Sequence, residues 1–232
     1  MRDRYGLVLI AVITALLITI ALPTGEHTGT AIIALQGGLL LAVLAATPPA
    51  TSGRLARIAA VVAVAAGLAA AFGGVPGWLV LASSAVFLTA AIATLGRGTY
   101  ALLQSEGVTA QVVAAALAIY VLLGLLFATV IGAIAGATDA AYFAQGTDGS
   151  QGDRVYYSFA VLTTTGFGDF TPALAAGRAL SVAEMLIGQI YLVTIVGLLV
   201  GNLRRPAEQR AARTAAKAAS AEAARDQPGA AD

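Results

Sequence analysis

Apolar runs separated by short polar breaks make up most of this chain. Residues 5–23 form the first run, and residues 30–47, 58–72, 78–95, 109–136 and 177–203 form five more. A helix rises about 1.5 Å per residue, so roughly 20 apolar residues cross a bilayer core. The pattern therefore predicts an all-α membrane protein with six transmembrane helices. The fifth run is longer than an average core requires and is expected to tilt or protrude. The breaks carry turn and stop chemistry: Pro48-Pro49, Gly74-Val75-Pro76-Gly77, a semi-polar linker from Arg97 to Val108, and Arg204-Arg205-Pro206.

The break between the fifth and sixth runs is different. After a polar stretch over residues 138–152, a short half-helix is expected from Asp153-Arg154 through Tyr156-Tyr157-Ser158-Phe159-Ala160-Val161-Leu162. It leads into Thr163-Thr164-Thr165-Gly166-Phe167-Gly168-Asp169. A dehydrated cation needs oxygens in place of its water, and stacked rings of backbone carbonyls can supply them. Pointing successive carbonyls the same way takes backbone angles that glycine tolerates and other residues resist. The Thr164 hydroxyl adds a further oxygen at the cytoplasmic end. Irregular backbone of this kind survives at membrane depth only when buried in protein or lining a wet cavity.

Thr164-Thr165-Gly166-Phe167-Gly168-Asp169 resembles the potassium channel signature, which usually reads Thr-Val-Gly-Tyr-Gly-Asp. The resemblance covers residues 109–203 and is to the bacterial single-pore-loop type, here with four extra N-terminal helices. It implies a re-entrant pore helix and selectivity filter in a homotetramer. Potassium, the permeant ion, would bind the carbonyls of Thr164, Thr165, Gly166 and Phe167, with Gly168 completing the filter. Thr163, Tyr156, Tyr157 and Asp169 would support it, the two tyrosines as an aromatic cuff. No other cofactor is implied.

Several departures matter. Phe167 lacks the hydroxyl of the usual tyrosine, Thr165 replaces valine, and Ala160 stands where some members carry an acid behind the filter. Aligned from Thr164, Gly188 falls at the inner-helix position where many members have a hinge glycine. Hinge and packing contact both remain open for it, with Gly197 and Gly201 as further bending points. Glu184 is unusual in an apolar helix. It either hydrogen-bonds the pore helix or the back of the filter, as a filter support, or lies solvated near the interface. Gln189, Leu192, Val196 and Val200 are the residues offered to a cavity below the filter.

Voltage gating moves charge through the membrane field, and the fourth run, residues 78–95, contains no charged residue. The first four helices are therefore expected to be structural or regulatory. The division expected is a four-helix N-terminal transmembrane domain (1–108), a pore domain (109–203) and a short cytoplasmic tail (204–232), with no internal repeat.

Composition narrows the alternatives. The 232 residues are 59% hydrophobic and 11% charged, and the net charge of +1 gives no bulk attraction to nucleic acid. There is no cysteine and one histidine, His27, in a loop, so no thiol chemistry or catalytic constellation appears and no enzyme is expected. With the amino terminus inside, eleven of the thirteen basic residues fall on the cytoplasmic side and only Arg154 and Arg178 outside. Both termini are then cytoplasmic in an inner, multi-pass cell-membrane protein. Asp139, Asp148, Asp153 and Asp169 lie at the outer mouth, where acids concentrate cations, although Asp139 and Asp148 read equally as solvated loop acids. The first run exceeds the apolar length of a signal peptide and is expected to be retained. Lipid and further copies of the chain are the partners expected, with no regulator legible. A less selective monovalent cation channel, a transporter subunit and a non-channel scaffold are the competing readings.

Overall fold

The computed structural model describes residues 5–21 and 76–198. The second and third apolar runs and the tail lie outside the described residues. Within them five helices follow in order: α1 (Tyr5–Ala21), α2 (Gly77–Glu106), α3 (Ala110–Ala137), α4 (Gln151–Leu162) and α5 (Ala175–Leu198). No strand occurs among the described residues, only two isolated bridges. Three of the helices, α2, α3 and α5, are long and apolar enough to cross a membrane. The described part of α1 is 17 residues long and apolar.

The elements start and stop for local reasons. Thr109 caps α3 by accepting from the Val112 amide at 3.3 Å. The α2 helix ends at Gly107, whose φ of 76° suits glycine and whose amide returns to the Leu103 carbonyl. The stretch after Arg97, read from sequence as a linker, is thus helical as far as Glu106. Thr99 and Leu102 there turn inward while Arg97, Gln104, Ser105 and Glu106 stay exposed, so the apolar stripe continues past the first charge. Ser150 and Asp153 form a reciprocal capping box at the start of α4.

The core is built on α3. Its Val112, Ala115, Ala118, Leu122, Leu125 and Ala128 meet Tyr5, Val8 and Val12 of α1, Phe87, Leu88 and Leu95 of α2, and Val155 of α4. Four buried threonines are satisfied within their own helices. Thr19, Thr94, Thr99 and Thr129 each donate to the carbonyl four residues back, as helices in a low-dielectric surrounding require. A second cluster, with Ile131, Tyr142, Phe143, Tyr157 and Val161, fixes the loop between α3 and α4.

Candidate ion-conduction site

The α4 half-helix ends at Leu162, and Thr163 caps it with its amide returned to Phe159. From there the chain doubles back. The Thr164 amide donates to the Val161 carbonyl at 2.9 Å. The amides of Thr165 and Gly166 both donate to the Ala160 carbonyl, at 2.8 and 3.1 Å. Ala160, without an acid of its own, thus anchors the loop through its backbone. Thr164, Gly166 and Gly168 have φ of 57°, 54° and 81°, so left-handed backbone recurs at every second residue. Such alternation gathers amides on one side and sends carbonyls to the other. The amides of Thr164, Thr165 and Gly166 face α4. The carbonyl oxygens of Thr164, Thr165, Gly166 and Phe167 have no donor among the described residues. The α4 C-terminus adds the negative end of its dipole to the same place.

The sides of the loop are tied as well. Thr163 donates to the Phe159 carbonyl at 2.7 Å, which uses its only hydroxyl proton. The 2.8 Å contact between the Thr163 and Thr165 hydroxyls is therefore donated by Thr165. Thr165 thus faces the half-helix and not the carbonyl side. Phe167 stacks on Tyr156 with ring centroids 6.0 Å apart, and the Tyr156 phenol faces the Asp169 carboxylate. Tyr157 is not against the filter. Its ring meets Phe143 edge-on and its hydroxyl bonds Ser181 of α5 at 2.7 Å. Beyond the filter, the Ala144 amide pairs with the Thr171 carbonyl and the Ala173 amide with Tyr142, both at 2.8 Å. The loop between α3 and α4 therefore clasps the segment that follows Asp169.

That loop uses its acids structurally. The Asp148 carboxylate accepts the Tyr142 amide at 2.8 Å and Asp153 caps α4, so neither is a free charge at the mouth. Arg154 donates to the carbonyls of Asp148 and Gly149. Burial pushes the Tyr142 phenol well above its ordinary value, and it stays neutral. Asp139 and Asp169 remain exposed.

The inner helix α5 meets this assembly along one stripe: Gly177, Ser181, Glu184 and Gly188 are buried and Tyr191 is half-buried. Glu184 is fully buried, and its Oε1 lies 2.5 Å from Ser158 Oγ of α4. Ser158 Oγ is also 2.8 Å from the Gly124 carbonyl of α3. A serine has one proton, and a backbone carbonyl can only accept. Both contacts are satisfied when Glu184 is a neutral acid donating to Ser158, which donates to Gly124. Among the described residues no basic group faces Glu184, and a buried carboxylate without a partner is costly. A Cβ at Gly188 would lie 2.5 Å from the Leu162 carbonyl, so this glycine is a close backbone contact with the end of α4. Tyr120 of α3 reaches the same carbonyl at 3.3 Å and stacks on Tyr191. Gln189 Nε2 donates to Thr164 Oγ1 at 3.1 Å.

A long apolar helix, a half-helix, an irregular loop and a second long apolar helix follow one another in the order of an ion-channel pore unit. Residues 119–205 match the family model described as Ion channel, a span that takes in most of α3 and all of α4, the loop and α5. These residues carry an ion-channel domain, and the match supports a passive, non-enzymatic channel. No curated protein and no solved structure gave a match.

Sequence reasoning missed Ser158, Gly124 and Tyr120 as parts of the site. Tyr120 is an isolated polar position in the apolar α3, whereas Ser158 sits among the other polar residues of α4. Nothing in the sequence marked the Gly124 carbonyl as the acceptor for Ser158 or the Leu162 carbonyl as the acceptor for Tyr120.

Proposed function

We propose that the protein is a potassium-selective channel that conducts passively through a homotetrameric pore, with residues 164–168 as its filter. The observation that carries this reading is the left-handed alternation at Thr164, Gly166 and Gly168, with four carbonyls that no donor reaches among the described residues. One chain supplies one filter strand, so a ring around an ion needs several copies, and cyclic symmetry closes such a ring. The broad exposed apolar surface of α5, including Leu186, Ile190 and Val193, is what neighbouring copies or lipid would cover. The positive-inside charge pattern supports cytoplasmic termini and a multi-pass place in the cell membrane. Potassium exchanges its waters for the Thr164 hydroxyl and then for successive carbonyls, and the four α4 termini favour it in the cavity below.

A second reading, a less selective monovalent cation channel, draws support from Phe167. Its ring is 67% exposed and meets Tyr156 only by stacking, so no hydroxyl braces the filter at that point. Reversal potential in bilayers holding unequal potassium and sodium decides between them. A value near the potassium limit is expected. A value near zero with clear current would establish the less selective channel. Loss of current in Gly166→Ala, with the wild type active, would tie conduction to the loop.

A further inference from the structure

We propose that Gln189 orients the Thr164 hydroxyl at the cavity end of the filter, and so sets how tightly that end holds a cation of potassium's size. The inference rests on the channel reading above and adds a positioning residue to it. Thr164 is the only residue other than glycine with positive φ among the described residues. A β-branched side chain is a conformational outlier there, so its hydroxyl position must be imposed from outside. The neighbouring hydroxyls do not impose it: Thr163 and Thr165 bond each other and the half-helix. Among the described residues, the Gln189 amide is the one group that bonds the Thr164 hydroxyl. Its reach depends on the residue before it, since Gly188 brings the α5 backbone against the end of α4.

A hydroxyl oxygen has two acceptor positions. The Gln189 amide fills one and leaves the other for the ion. Both Gln189 and Thr164 are exposed on the side of the chain that the half-helix does not cover. In a symmetric assembly the amides form a collar beneath the hydroxyl ring, at the point where an entering ion gives up its last cavity water. Losing the collar frees the hydroxyls to rotate, so the innermost site is no longer preorganised.

Barium is the probe, because it is close to potassium in size and carries twice the charge, so it lodges where potassium passes. Block from the cavity side is measured in bilayers, and binding to the purified full chain is measured by calorimetry, which needs no open gate. Gln189→Leu is expected to weaken barium about fivefold, the factor that corresponds to one hydrogen bond of ordinary net strength. Gln189→Asn keeps the polarity but falls one methylene short. It is expected to show the same loss, and it carries the test if the leucine variant does not assemble. In a Thr164→Ala background the Gln189 substitutions are expected to have no further effect. Barium affinity unchanged in Gln189→Asn, or an equal loss with and without the Thr164 hydroxyl, overturns the proposal. A wild-type protein that neither binds barium nor passes potassium removes the channel reading itself, and this inference with it.

Discussion

Glu184 makes the most exposed claim about energetics. It is fully buried, and Ser158 stands between it and the Gly124 carbonyl with a single proton to give. If Glu184 holds the proton, Glu184→Gln replaces an O–H donor with an N–H donor of nearly the same shape. One polar atom stays unpaired in either form, as Oε2 does now. The substitution should then change stability by less than about 1 kcal/mol, within the range of an ordinary net hydrogen bond. If Glu184 were instead ionised, the glutamine would remove an unpaired buried charge, whose penalty is several kcal/mol, and the protein would gain that much. Ser158→Ala tests the other half of the relay. It leaves the buried acid without an acceptor and should cost about 1–3 kcal/mol. For a chain of this size, about 1 kcal/mol moves a thermal midpoint by about 2–4 °C. Thermal unfolding of the detergent-solubilised protein, ranked across the variants, reads both. A glutamine variant within about 4 °C of wild type and an alanine variant lowered by about 2–12 °C are expected. A glutamine variant stabilised by more than about 8 °C would falsify the neutral relay.

Other substitutions follow from the same contacts. Gly166→Ala places a side chain at φ 54°; it should cost about 1–2 kcal/mol of backbone strain and abolish potassium flux in a liposome assay. Thr165→Val removes the bond to Thr163 but keeps the shape; a stability loss of about 1 kcal/mol with flux retained is expected in the same assay. Arg154→Ala frees the carbonyls of Asp148 and Gly149, and protease accessibility of the outer loop should rise while α4 stays folded.

The parts of the pore unit governed by near neighbours were legible in the sequence. Glycines at alternate positions, an apolar half-helix before them and long charge-free runs on either side each follow from local backbone or burial rules. Some local signals went unread. Ser150-x-x-Asp153 has the spacing of a capping box, so Asp153 is a helix cap and not a mouth acid. Tyr156 and Tyr157 were both assigned to the cuff, although neighbours on a helix point about 100° apart, and only Tyr156 meets Phe167. The relation of Glu184 to Ser158 is of another kind. The two are 26 positions apart on different helices, and their meeting depends on how α4 and α5 are rotated and staggered. Sequence periodicity shows which face of a helix is apolar, but not which residue of a second helix lies opposite.

That stagger bears on where the inner helix can bend. Running down α5, Ser181 meets Tyr157, Glu184 meets Ser158, Gly188 abuts Leu162 and Gln189 reaches Thr164. The contacts advance together along both segments, so the upper part of α5 is clamped to α4 and the loop that follows it. A bend at Gly188 itself would have to open the closest of these contacts. Gly197 lies below the clamp, and a Cβ added there meets nothing within 4 Å. The two glycines should therefore respond differently to alanine. Gly188→Ala drives a methyl into the Leu162 carbonyl and should lower the thermal midpoint through about 1–3 kcal/mol of overpacking. Gly197→Ala should leave the fold intact, because alanine favours the helix by about 1 kcal/mol, and should reduce open probability by stiffening the segment that moves. Single-channel recording beside thermal unfolding separates the two effects. A Gly188→Ala channel of native stability but altered open probability would return the hinge to Gly188 and show that the clamp yields during opening.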